Sequence, residues 1–129
     1  MAIRIYIASP YTNGNKEENV NLQIDIANEL MNRGYAPYTP LLTHYQHLRY
    51  PREEHDWYKL DNEFLSICDI MIRIRPIKDG KEILSTGAEN EEKFARSLKI
   101  PVFIFNTIEQ MCIYLDSNPI EKVEFVQVK

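Results

Sequence analysis

The stretch "DNEFLSICDIMIRI", Asp61–Ile74, changes its period halfway along. Up to Ile67 it continues a helical pattern that starts near Asp56, in which Trp57, Leu60, Phe64 and Ile67 fall on one arc. From Asp69 the run "DIMIRI" reads instead as a strand. A helix that feeds a strand is the repeating unit of a layered α/β fold, and the flanking sequence repeats it in both directions.

Upstream, "IRIYIAS" (Ile3–Ser9) is a β-branched and aromatic run that ends at Pro10, which predicts a buried strand. Val20, Ile24, Ala27 and Met31 then recur at helical spacing from about Glu17 to Arg33, and Gly34 supplies the stop. "YAPYTP" (Tyr35–Pro40) allows only a very short strand before its prolines intervene. Leu41 to His55 carries no clean period and is expected to be a long surface loop, the kind that acts as a lid or binding segment. Downstream, a polar loop reaches Ser85, a helix starts near Thr86, "IPVFIF" (Ile100–Phe105) reads as a strand and Ile108 to Leu115 as a helix. "VEFVQV" (Val123–Val128) is expected to add an edge strand. The expectation is one domain over residues 1–129: a doubly wound, mainly parallel five-stranded sheet flanked by helices, flavodoxin-like or Rossmann-like. Ligands of such sheets bind beyond the carboxyl ends of the strands, where Ser9, the loop after Ile74 and the loop after Phe105 should gather.

The 129 residues are 44% hydrophobic, enough to fill one core. A net charge of −4 leaves no basic footprint, so no nucleic-acid partner is expected. The N-terminus lacks a basic region followed by an apolar run, and no apolar stretch approaches membrane-spanning length, so no membrane partner is expected either. Cys68 and Cys112 lie in apolar surroundings and are expected to be buried thiols of a cytoplasmic protein.

Two acids stand out. In "STGAENEEKFA" (Ser85–Ala95), a step of about 100° per residue groups Ala88, Glu91, Phe94, Ala95 and Leu98 on one arc. Glu89, Glu92, Lys93, Arg96 and Ser97 fall on the opposite side, so Glu89 and Glu92 read as surface residues and Glu91 alone points with the apolar stripe. On the Asp56 helix, Asp61 shares the arc of Trp57, Leu60, Phe64, Leu65 and Ile67. An unpaired buried carboxylate costs several kcal/mol, so such acids are paired, protonated or lining a cavity. Two of them on separate helices suggest a shared cleft with divided proton-handling roles. The plainer alternative places each at the edge of its stripe, in contact with water, with Asp61 favoured by its helix dipole.

With "IYIASP", "DNEFLSICDIMI", "STGAENEEKFA" and "KIPVFIF" in this order, the chain resembles the nucleoside 2-deoxyribosyltransferase family, nearest its branch of 2'-deoxynucleoside 5'-phosphate N-hydrolases. "GAENEEKFA" fits a pattern of Gly, three residues, Glu, three residues, Ala. The resemblance implies that Glu91 is the nucleophile or key catalytic carboxylate, that Asp61 serves the leaving base and that Tyr6 lies beside the catalytic carboxylate. It also implies a nucleotide or nucleoside as small-molecule partner, and a homodimer or higher assembly in which a neighbouring subunit completes the pocket. The sequence departs from the family at Glu92 and Lys93, where small or apolar residues usually follow the glutamate.

N-glycosidic cleavage builds positive charge on the anomeric carbon, which an ionised Glu91 would stabilise or attack while a protonated Asp61 donates to the base. Tyr6 either orients Glu91 or is simply an aromatic packed at a strand end. Ser85 stands where the transferase branch usually has an aspartate for the sugar's 5'-hydroxyl. A serine there, with Gly87 and the helix N-terminus beside it, would accept a 5'-phosphate, to which Ser9 at the end of the first strand would add a second contact; alternatively Ser85 is only an N-cap. His44, His55 and Trp57 are expected to shape base specificity. His44 and His47 lack partners at zinc-ligand spacing, so no metal site is expected, and no cofactor. Ser85 favours an N-glycosidase that hydrolyses a (deoxy)nucleoside 5'-monophosphate through Glu91; the alternatives are base exchange by a deoxyribosyltransferase and a nucleotide-binding sensor without catalysis. Ile108, Met111, Cys112 and Tyr114 fit either a subunit contact or a core face.

Overall fold

Alternation within one strand sets up both layers of the molecule. A computed structural model describes residues 1–121. In β1 (Arg4–Ala8), Ile5 and Ile7 face one side of the sheet and Tyr6 and Ala8 the other, all fully buried. The chain continues through α1 (Lys16–Asn32), β2 (Ala36–Tyr38), a 3₁₀ turn (Pro40–Leu42), α2 (Thr43–Arg49), α3 (Glu54–Leu65) and β3 (Ile70–Ile74). Then come β4 (Ile77–Lys78), β5 (Lys81–Glu82), α4 (Thr86–Ser97), β6 (Val102–Phe105) and α5 (Ile108–Ser117).

β2, β1, β3 and β6 form a parallel sheet in that order, with Tyr6 registered against Tyr38 on one side and Met71 on the other. Ile26 and Leu30 of α1 and Met111 and Leu115 of α5 cover the Ile5/Ile7 face; Leu65 of α3 and Ala88 and Ala95 of α4 cover the Tyr6/Ala8 face. The winding reverses between β1 and β3, which makes the end of β1 the switch point. The four expected strands of this sheet are present; the fifth, at Val123–Val128, lies outside the described residues. No helix among the described residues is long and apolar enough to cross a membrane.

Four local expectations are corrected. The inward face of α1 carries Val20, Gln23, Ile26 and Leu30, whereas Ile24 and Met31 are exposed. Gln23 turns inward because its amide nitrogen bonds Ser9 Oγ at 2.9 Å and its amide oxygen accepts from Leu41 N–H, so a polar residue belongs to the buried stripe. The expected loop from Leu41 to His55 is largely helical; α2 buries only His44, which left no apolar period to read. On α3 the apolar arc is mostly open: Leu60 and Phe64, and Ile67 just beyond the helix, are exposed, and Leu65 takes the core position. The polar loop after Ile74 contains a hairpin, β4–β5, turned at Asp79 and Gly80, whose φ values of 54° and 75° suit an Asp-Gly turn.

Candidate active site

The Tyr6 face of the sheet opens, at the carboxyl end of β1, into a cavity of about 560 Å³. On α3 the residues that line it are Glu54, Trp57, Tyr58 and Asp61, spaced i, i+3, i+4 and i+7, so one stripe of the helix faces it. Ser85, Thr86, Gly87, Ala88 and Glu91 line it from α4 and its N-cap, and Ser9 from the end of β1. The loop after β1 adds Tyr11 and Asn13, the start of α1 adds Lys16, and α2 adds His44 and His47. A larger hollow of about 900 Å³, on α2 and α3, contains neither Asp61 nor Glu91 and gathers no comparable chemistry.

The two acids meet the cavity in matched surroundings. The fully buried Tyr6 donates a hydrogen bond to Glu91 Oε2, and Tyr38 donates to Asp61 Oδ1 at 3.3 Å. The two tyrosine rings stack on each other with centroids 5.5 Å apart, and Phe64 stacks on Tyr38 at 4.8 Å. Burial pushes Glu91 up to about 8; the Tyr6 hydrogen bond and the charge of Arg73 oppose the shift, while Asp61 adds to it. Burial also pushes Asp61 up to about 7 against the hydrogen bond from Tyr38. Tyr6 is raised in turn, first by burial and then by Glu91, so it remains a hydrogen-bond donor.

The two serines are hydrogen-bonded as acceptors. Ser85 caps α4 by accepting from Ala88 N at 3.1 Å, and Ser9 Oγ accepts from Gln23. Each hydroxyl proton therefore stays available to a ligand. Asn13 donates to Leu84 O at 2.5 Å and Asn19 donates to Tyr11 O and Asn13 O at 2.9 Å, so the β1–α1 loop is tied to the segment before Ser85. His47 Nδ1 accepts from Trp57 Nε1 at 2.8 Å and from Arg52 N at 3.2 Å; the Tyr11 hydroxyl lies 2.6 Å from His44 Nδ1.

Ser9, His44, Trp57, Asp61, Ser85, Gly87 and Glu91 thus line one cavity, with Tyr6 directly behind Glu91. His55 does not: it lies one position off the lining stripe of α3, exposed, in a separate shallow groove with Lys59 and Phe94. The loop after Phe105 does not reach the cavity either; Asn106 there bonds Arg75 O at 3.0 Å instead. Sequence reading missed Tyr38, whose place opposite Tyr6 follows from strand register, and His47, hidden in an unrecognised helix. It also misjudged Glu92, whose side chain is largely buried, whereas Glu89 is exposed as expected. Both accept from Nη1 of the buried Arg73 at 2.8 Å, and the signal for this was a lone cation inside the apolar run "DIMIRI".

A family model described as a domain of unknown function (DUF7768) matches residues 3–105. None of the curated proteins compared matches the sequence. Among solved structures, the chain is similar to a 2-deoxyribosyltransferase from Bacillus psychrosaccharolyticus, at 24% identity and a TM-score of 0.55, over 79% of this chain and 71% of that one. It is also similar to the CMP N-glycosidase of Clostridium botulinum, at 15% identity and a TM-score of 0.54, over 88% of this chain and 98% of that one. At these identities the likeness establishes a shared α/β fold.

Proposed function

The chain belongs to the family described as a domain of unknown function (DUF7768), and from the acid pair of its cleft we propose that it is an enzyme, an N-glycosidase that cleaves the base–sugar bond of a (deoxy)nucleoside 5'-monophosphate. One observation carries the reading: Glu91 and Asp61, from two helices, converge on one cavity, each held by its own tyrosine. Two acids brought together in this way, with burial raising both, suit proton transfer beside a carbon that gains positive charge. A binding module for an anionic nucleotide has no use for them. The two solved structures of the same fold are named for chemistry at such a bond, which supports the reading.

In the proposed reaction the C1'–N bond breaks and its electron pair leaves with the base nitrogen, which takes a proton from the Asp61 carboxyl. Glu91 faces the anomeric carbon and stabilises its charge or bonds to it. Water then adds to C1' and returns a proton to Asp61, giving free base and sugar 5-phosphate. Burial raises both carboxyls, so a proton is available in the cleft at neutral pH. The cationic sugar favours the Glu91 anion that Tyr6 already supports, which leaves that proton with Asp61. The 5'-phosphate is assigned to the free hydroxyls of Ser9 and Ser85 and to the amides at the α4 N-terminus around Gly87, with Lys16 in the same wall. His44 and Trp57 are assigned to the base. The same reading includes a homodimer or higher assembly, supported by the exposed apolar residues Leu60 and Phe64 of α3 and Ile67 just beyond it.

The test is a panel of ribo- and deoxyribonucleoside 5'-monophosphates and the matching nucleosides, with free base followed by chromatography and a second base offered as acceptor. Base release from monophosphates alone, abolished in Glu91→Ala, is the expected result. Base exchange on free nucleosides would replace hydrolysis by transfer and remove the phosphate assignment. Binding without turnover would make the chain a sensor.

A further inference from the structure

Arg73 is a buried cation with no part in the chemistry above. It lies in the middle of β3, registered between Ala8 of β1 and Ile104 of β6, and is 3% exposed. Strand alternation puts it on the same face as Met71, beneath α4. Its Nη1 donates to Glu89 Oε2 and Glu92 Oε1, both at 2.8 Å, and Glu92 also accepts from Arg96 Nε at 3.0 Å. Its Nε is the one buried side-chain polar atom without a partner among the described residues. A guanidinium held this far from water is expensive unless the position gives something in return.

What it holds is the helix that carries Glu91. Glu89 and Glu92 are three residues apart on α4, about 60° around the helix from each other, with Glu91 about 100° beyond Glu92. Two strands therefore grip one helix at two angles: β1 through Tyr6 on Glu91, and β3 through Arg73 on Glu89 and Glu92. Neither contact alone fixes rotation about the axis of α4, but together they do. We propose that Arg73 is the positioning residue of Glu91: from the central strand it sets the rotation of α4 that places the carboxyl against Tyr6 and into the cavity. The inference also accounts for Glu92, one of the two residues at which the chain departs from the family it resembles. An acid is needed there because its partner on β3 is an arginine.

The groups whose charge couples to Glu91 are Tyr6 from β1, Tyr38 from β2, Tyr58 and Asp61 from α3 and Arg73 from β3, while Lys16, His44, His47, Arg52 and Glu54 line the same cavity. Arg73 is the cation whose charge bears on Glu91, and it favours the anion. Two arms test the proposal. The kinetic arm rests on the reading of Glu91 as the reacting carboxylate; the spectroscopic arm does not. With carboxyl-¹³C-labelled glutamate, and Glu91→Gln to assign the signal, the Glu91 titration midpoint is expected to rise by about half a pH unit or more in Arg73→Met. It should return towards the wild-type value in Arg73→Lys. In Glu92→Gln, which keeps the Arg73 charge but removes one of its anions, the midpoint moves the other way. kcat is expected to fall roughly 10- to 100-fold in Arg73→Met, with KM changed much less, and to recover in part in Arg73→Lys. Unshifted titrations in Arg73→Met and Glu92→Gln would overturn the proposal; should Arg73→Met not fold, Glu92→Gln decides it alone. Shifted titrations in a protein without turnover would uphold the placement of Glu91 and reject the glycosidase reading.

Discussion

At the scale of single residues, the cavity is a place where two carboxyls are kept at a cost to stability. Glu91 and Asp61 have ordinary values of 4.5 and 3.8, and the fold raises them to about 8 and about 7. The folded chain therefore binds more protons than the unfolded chain between about pH 4 and pH 8. The stability these groups contribute is complete below their ordinary values and is lost as pH rises through the folded ones. Glu91→Gln keeps the shape and an acceptor for Tyr6 but cannot ionise. It is expected to exceed the wild type by about 1–2 kcal/mol at pH 8, less than the full shift converts to because the cavity wets the carboxyl, and by much less at pH 5. Thermal melts at the two pH values check this; a variant less stable than wild type at pH 8 would show that the carboxylate is not strained. Stability gained at the cost of the reacting group is the pattern expected of a functional site.

At the scale of elements, what could be read from the sequence followed the chemistry of each inward face. β1, β3 and β6 are β-branched and aromatic runs and were legible as strands. α4 was legible from its N-cap and from the arc that singled out Glu91. α1 and α2 turn polar residues inward, Gln23 and His44, and a count of apolar positions picks the wrong arc or none. α3 shows the converse, since Leu60 and Phe64 stay open to solvent while Glu54 and Asp61 line the cavity. Glu92 looked solvated because its partner comes from a strand 19 residues away. The end of α4 carries a local strain. Lys99 follows the helix at φ 60°, and Ile100 N reaches back to Ala95 O at 2.9 Å, a left-handed cap in which glycine is favoured. Lys99→Gly is expected to raise stability in urea unfolding by about 0.5–1 kcal/mol, with an unchanged denaturant slope. A loss of stability would place the cost of glycine's freedom in the unfolded chain above the strain relieved.

At the scale of the whole molecule, two helical layers cover a four-stranded sheet and leave apolar side chains exposed along α3. If these form the contact of a homo-oligomer, sedimentation should show a dimer or larger species, and Ile67→Glu, at a position 55% exposed, should give a folded monomer. A wild-type monomer at high micromolar concentration would withdraw that assembly. The parallel, doubly wound sheet was readable because its strands alternate with helices; the open face of α3 was not, because a helical wheel cannot tell a buried apolar stripe from an exposed one. One further property follows from Tyr6 and Tyr38 being partners in the β1–β2 ladder. Neighbouring strands stand about 4.8 Å apart whatever their side chains, so the ladder acts as a ruler for the two tyrosines that hold the acids. β2 has only three residues, and a slip of one would turn Tyr38 to the opposite face and leave Asp61 without its donor. The gap between the two acids is thus graduated in whole strand spacings, and drift in the surrounding helices can tilt the carboxyls but cannot stretch the scale.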